Sequence, residues 1–222
     1  MASKKPSTTP FQMPLRLGVV RGSAIDEAQL DFATGKDIQA VKNWSVSPRL
    51  EKLPDMKYRA NEACELAQLA AKRWRYYRDS RTFATSIEHL KSLITADPQG
   101  EFSFHLKVTA KWFPEIMGAA MIRRTWCHHI MIDFLFVHPD ISGRLLPIKT
   151  VGVQMLQAIC LLARELDCKR VWGEATRDSA PFYQNQLGRD IEDHFSIEKP
   201  QLVELAARLK TSPKPKLKPS DP

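Results

Sequence analysis

Residues 130–140 read IMIDFLFVHPD and residues 171–188 read VWGEATRDSAPFYQNQLG, with an amphipathic segment beginning at Val151 between them. The first stretch is an apolar run of strand length, broken by Asp133 and ending in a proline-containing loop. Val151, Met155, Ile159, Leu162 and Leu166 then make a helical stripe. A second strand is expected over 170–175, after the Asp167-Cys168-Lys169 turn. Strand, helix and strand form the crossover that parallel pairing requires. Ser179 stands where it would cap a short helix over Ala180–Gln186, with Pro181 in its first turn and Gly188 as its stop. This order brings backbone amides and a helix start together, as a phosphate-bearing cofactor needs.

Upstream, Phe102, Phe104, Leu106 and Val108 alternate with polar partners and predict a half-buried strand. Met117–Trp126 and His129–Val137 follow at short spacing, so these strands are expected as an antiparallel meander. Ala63, Leu66, Ala67, Ala70, Ala71 and Trp74 fall on one helical face made mostly of small residues. A further helix is expected over Phe83–Ile94, and a short strand over Leu15–Val19 before the Arg21-Gly22-Ser23 turn. Residues 24–57 are weakly patterned: Ile38–Val41 favours helix, whereas Ser47-Pro48 and Leu53-Pro54 argue for irregular links. Downstream, Asp190–Ile197 is expected as a last strand and Pro200–Lys210 as a closing helix.

The 222 residues, 43% hydrophobic and 26% charged, suit one domain that buries its core without staples. That domain is expected over 15–210, divided into an N-terminal strand and helices (15–100), a core (101–197) and a closing helix (198–210). Residues 1–14 and 211–222 read as disordered tails rich in Pro and Lys. No apolar run approaches a membrane span and no secretory h-region follows the first lysines, so a cytoplasmic protein is expected. Cys64, Cys127, Cys160 and Cys168 form no CxxC pair and read as thiols. Adjacent residues on a strand point to opposite faces, so Cys127-His128-His129 cannot converge on one ion, and no metal is expected.

The net charge of +8 raises a nucleic-acid reading, but the tails supply half of it through Lys4, Lys5, Lys214, Lys216 and Lys218 against Asp221. Lys72, Arg73, Arg75, Arg78 and Arg81 surround Trp74, Tyr76 and Tyr77, a mixture that can hold phosphates and stack bases. A solvated helix face with cations near its C-terminal end explains the same residues and is preferred.

Three motifs in order resemble the GNAT superfamily of acyl-CoA N-acyltransferases. Ile132–Pro139 is similar to its strand-to-loop signature of an acidic residue and then Leu-x-Val-x-Pro. Gly152–Leu156 resembles the start of its next helix, and Ser179-Ala180-Pro181-Phe182-Tyr183 its A-x-x-[LF]-Y helix. The resemblance covers roughly residues 100–197. It implies an α/β (α+β) fold with a mixed, mostly antiparallel central sheet flanked by helices, and a splayed strand pair. It further implies acetyl-CoA as the acyl donor, with Phe136 and Val137 offering backbone groups to the pantetheine arm. The loop and helix start would hold the pyrophosphate, through Thr150, Val151, Gly152 and Val153.

The family's [QR]-x-x-G-x-[GA] loop is altered here, with Pro147 at its first position and Thr150 at its middle glycine, and five extra residues before Gly152. Arg144 and Lys149 are candidates to compensate by direct charge contact. Tyr183 matches the family's general acid, and a phenol keeps its proton at neutral pH. Asp133 and Glu174 are candidate bases, with a structural role for Asp133 toward Arg123 as its alternative. His138 reads as a solvated loop residue. His128 and His129 either line the acceptor side or cover the sheet.

The reaction implied is transfer of an acetyl group to a primary amine by direct attack. A GNAT-like interaction protein and a nucleic-acid-associated protein are the competing readings. The acceptor is open, small molecule or protein, and so is a homodimer. A basic rim of Arg73, Arg78 and Arg81 would favour an anionic or polar acceptor if it faced the cleft.

Overall fold

The computed structural model describes residues 11–211. Most of the two expected tails lies outside the described residues. Phe11 and Met13, assigned by composition to the first tail, pack against the main core.

The elements in chain order are β1 (Leu15–Arg21), β2 (Ala24–Phe32), α1 (Gly35–Lys42), α2 (Pro54–Tyr77), β3 (Phe83–Ala84), α3 (Ile87–Ala96), β4 (Phe102–Ala110), β5 (Phe113–Arg124), β6 (His129–Val137), α4 (Pro139–Ser142), β7 (Ile148–Lys149), α5 (Val151–Glu165), β8 (Arg170–Glu174), α6 (Ala180–Leu187), β9 (His194–Glu198) and α7 (Lys199–Thr211). One sheet holds the strands in the order β7-β1-β2-β4-β5-β6-β8-β9, with β3 beside β4. Pairing is antiparallel except between β6 and β8 and between β3 and β4. The meander and the parallel crossover through α5 match the sequence expectation.

The differences are local and have physical causes. Strand β2 shows its alternation only at Ala28, Leu30 and Phe32, since its first half is exposed and acidic. Phe83 and Ala84 are a strand rather than the start of a helix. They pair with Ser103 and Phe104, and Ser86 caps α3 by accepting from the His89 N–H. Ser179 does not cap α6 with its side chain; its hydroxyl accepts from the Thr176 N–H at 2.8 Å instead. Gly188 ends α6 in the left-handed region at φ 65°, as its position predicts.

Alternate residues of β5 and β6 feed two cores. Ala120, Ile122, Ile130 and Ile132 pack in the main core with α5 and α7. Ala119, Met121 and Phe136 pack with α1 and α2 on the other face. Ala60, Ala63, Ala67 and Ala70 are buried along α2, and their small side chains let that helix lie close on the sheet. No described helix is long and apolar enough to cross a membrane.

Candidate functional site

Strands β6 and β8 pair only from His129↔Arg170 to Ile132↔Gly173. Beyond Ile132, β6 runs on to Val137 with no partner on that side among the described residues, so the two strands part like a fork. Gly173 sits at the crotch. A Cβ there would stand 2.7 Å from the Ile132 carbonyl oxygen and 3.0 Å from the Phe195 ring, so any side chain would force the fork open.

A bulge shapes the free arm. The β5–β6 register slips between Met121↔Phe134 and Ile122↔Ile132, which leaves Asp133 as the extra residue. Two successive side chains, Asp133 and Phe134, therefore point to the α2 face, where Arg73 meets both. After the bulge the His138 N–H bonds the Met117 carbonyl at 2.8 Å. By the alternation of an antiparallel ladder, Phe136 then spends its backbone groups on β5, while Leu135 and Val137 turn theirs into the fork.

The fork opens into a groove of about 760 Å³. Its walls are Leu135, Phe136 and Val137 from β6, the 141–153 segment, the first turns of α2, and Asp178, Ser179, Phe182 and Tyr183. All eight residues expected to hold a cofactor line it: Phe136, Val137, Arg144, Lys149, Thr150, Val151, Gly152 and Val153. For Phe136 the backbone role passes to Leu135, a neighbour that the motif alone did not single out. Arg144 and Lys149 are exposed, and neither has an ion-pair partner among the described residues.

The altered loop solves its geometry in a particular way. Thr150, at the motif's middle glycine, adopts φ 69°, a conformation that glycine takes without steric cost. Its hydroxyl accepts from the Val20 N–H at 3.3 Å, and β7 pairs with β1 through Val20↔Lys149. The additional residues are taken up by α4 and β7. Helix α5 has no side-chain cap. Its first amides thus remain without intrahelical partners at the groove wall, where they suit an anion.

Tyr183 is buried to 4% exposure, with its ring stacked on Phe195 at 3.8 Å between centroids. Its hydroxyl makes no hydrogen bond among the described residues, and the side chain borders the groove. Burial pushes its pKa above the usual phenol value.

The two candidate bases lie outside the groove lining. The Asp133 side chain has no solvent exposure and does not line the groove. Arg123 takes both of its oxygens at 2.8 Å, and Arg73 adds a third contact at 2.8 Å. Its contacts run to these two guanidinium groups, which is the geometry of the structural alternative. Glu174 is exposed at the end of β8, outside the groove lining.

His138 also differs from expectation. His138 is buried between Trp44 and Phe113. Its Nδ1 accepts from the Asp140 N–H, and its Nε2 lies 3.2 Å from Glu115. His128 and His129 lie at the opposite end of β6 from the groove. Groove residues that the sequence reading passed over include Arg59, Glu62 and Asp178. Glu62 sat beside the small-residue face of its helix and so was readable as a boundary position.

A family model, the acetyltransferase (GNAT) family, matches residues 65–188. Among curated proteins none matches the chain. Several solved structures are similar. A GNAT-family acetyltransferase from Desulfovibrio desulfuricans is 13% identical, with 77% of this chain and 98% of that one covered and a TM-score of 0.42. PaiA N-acetyltransferase from Thermoplasma acidophilum, solved with coenzyme A, is 9% identical over 77% of this chain and 98% of that one, TM-score 0.44. Nourseothricin acetyltransferase is 17% identical over 40% of this chain and 49% of that one, TM-score 0.32.

Proposed function

The chain belongs to the GNAT acetyltransferase family, and from that premise we propose that it is an N-acetyltransferase moving an acetyl group from acetyl-CoA to a primary amine. The observation that carries this reading is the groove itself. It has unpaired β6 backbone along one wall, free α5 amides at one end and a buried, unpartnered phenol at its side.

In this reading the amides of Val151, Gly152 and Val153 receive the diphosphate, with Arg144 and Lys149 adding charge. The backbone groups of Leu135 and Val137 pair with the amides of the pantetheine arm, as a missing neighbour strand would. The amine nitrogen attacks the thioester carbonyl carbon, the new C–N bond replaces the C–S bond, and the amine proton passes to solvent. Tyr183 gives its proton to the departing CoA thiolate and regains one from water. Neither Asp133 nor Glu174 has a part in proton transfer.

The test has two steps. Acetyl-CoA should raise the unfolding temperature saturably, and Arg144→Ala with Lys149→Ala should weaken that effect. A panel of primary amines, followed by detection of released CoA thiol, should then reveal turnover. Absence of any saturable CoA binding would refute the reading.

A further inference from the structure

The groove takes its cations from Arg59, Arg144 and Lys149. The basic cluster of Arg73, Arg78 and Arg81 lies outside it, with Arg73 committed to Asp133 and Arg78 to Asp79. What places Arg144 therefore bears on how the groove meets an anion. His138 stands where the free arm of β6 gives way to the segment that carries Arg144, and its own side chain does not line the groove. It is 7% exposed, and each of its polar atoms has a partner. Its N–H donates to Met117 on β5, and its carbonyl accepts from the N–H groups of Ile141 and Ser142 at 2.9 Å each. Nδ1 of the ring accepts from the Asp140 N–H at 3.2 Å, so the ring proton sits on Nε2. Nε2 donates that proton to the exposed carboxylate of Glu115, also at 3.2 Å.

This is a helix cap made by an imidazole, where a short oxygen-bearing side chain is the usual choice. The ring has a second task that such a side chain could not perform. It fills a slot between Trp44 and Phe113, edge-on to both at 5.2 and 5.4 Å between centroids. Glu115 holds the tautomer that leaves Nδ1 able to accept. The capped helix α4 is itself wedged against α2. The Ser142 hydroxyl donates to the Arg59 carbonyl at 3.1 Å, and a Cβ at Gly143 would meet the Leu50 side chain at 2.8 Å and the Met56 carbonyl at 2.9 Å. The chain then turns at Arg144 in the left-handed region, at φ 56°, and the Leu146 N–H returns to the Asp140 carbonyl at 3.1 Å. Asp140 thus gives its N–H to the His138 ring and its carbonyl to the far side of the Arg144 turn.

We infer that His138 is a positioning residue of the donor site. Through the cap of α4 it holds the turn that brings Arg144 to the groove, and Glu115 sets its tautomer. This rests on the acetyltransferase reading and adds two residues that do not line the groove. Packing and capping can be separated at this position. His138→Phe fills the aromatic slot and accepts no hydrogen bond, whereas His138→Asn caps well and leaves the slot partly empty.

The experiment is calorimetric titration of the full-length protein with CoA, beside denaturant unfolding. His138→Phe should bind CoA about tenfold more weakly than the parent. His138→Asn should stay within about threefold of the parent in CoA affinity while unfolding at a lower denaturant concentration. Glu115→Ala, at an exposed position, should weaken CoA about threefold. A role in packing alone gives the reverse order, with CoA affinity following the unfolding midpoint. That order, or parental affinity in both His138→Phe and Glu115→Ala, would overturn the inference. Failure of the acetyltransferase reading shows separately, as absence of CoA binding by the parent, and takes the inference with it.

Discussion

Asp133 and Arg123 face each other across the β5–β6 ladder, with both carboxylate oxygens taken by one guanidinium at 2.8 Å each. Arg123 also reaches Glu101 at 2.9 Å, and its own pKa is raised, chiefly by the hydrogen bonds to Asp133. The pair, with Arg73, fastens α2 to the bulge at the base of the fork. Asp133→Asn should therefore act on stability, by about 3 kcal/mol, since it leaves two cations short of their partner. Turnover per folded molecule should fall much less. Denaturant titration beside active-site-normalised rates separates the two, and an undiminished stability with a collapsed rate would restore Asp133 as a base.

Tyr183 presents the reverse case. Its ring packs on Phe195 and Phe182, while its hydroxyl makes no bond among the described residues. Tyr183→Phe should hence change stability by no more than about 1 kcal/mol. It should lower kcat about 100-fold with CoA affinity intact. The acid must be protonated to act, and its pKa is raised by burial, so its active form extends upward in pH. The pH profile of kcat should show no alkaline fall centred near the ordinary phenol value of about 10. Full activity of the Phe variant would remove Tyr183 from the chemistry.

At Thr150 two effects oppose each other. A left-handed residue with a side chain costs about 1–2 kcal/mol, while the Val20 N–H bond to its hydroxyl returns about 1 kcal/mol. Thr150→Gly removes both and should leave the unfolding midpoint nearly unchanged. Thr150→Val keeps the conformation and removes the acceptor, so it should lose about 1 kcal/mol or more. A Val variant as stable as the parent would show that the hydroxyl contributes nothing to the β1–β7 junction.

The sheet core and the crossover through α5 were legible because their signals are local, whereas the fork was implied only by the family resemblance. Phe102–Val108 alternates along one strand, and Val151–Leu166 repeats along one helix. The bulge was not legible. Nothing in IMIDFLF says that Asp133 and Phe134 share a face, because that depends on the register of β5. The commitment of Asp133 to Arg73 was hidden for the same reason: it joins a strand to a distant helix. Glu62 and Asp178 belong to no sequence motif, and only the folding of α2 over the fork gives them a common space. Motif positions located one wall of the groove, whereas its other side is assembled from residues with no sequence relation.

His105 provides a test of the fold that is independent of function. It lies on β4 with 2% exposure, its Nε2 unpartnered and its ring 5.8 Å from Phe83. Burial pulls its pKa down to about 3 from the usual 6.5. The folded protein therefore holds it neutral, while the unfolded chain protonates it as the pH falls below about 6.5. Between these values the unfolded state binds the extra proton, so the stability contribution is complete above about 6.5 and is lost as pH falls toward 3. The slope from this one group approaches about 1.4 kcal/mol per pH unit. His105→Leu is apolar and similar in bulk, and it deletes both the unpartnered nitrogen and the slope. Relative to the parent it should gain about 2 to 3 kcal/mol on going from about pH 7.5 to about pH 4.5, with the other histidines common to both proteins. Urea unfolding of the two proteins at matched pH values measures this difference directly. A gap that stays constant across the range would mean that His105 takes up its proton in the fold as readily as in the unfolded chain, which would overturn this reading.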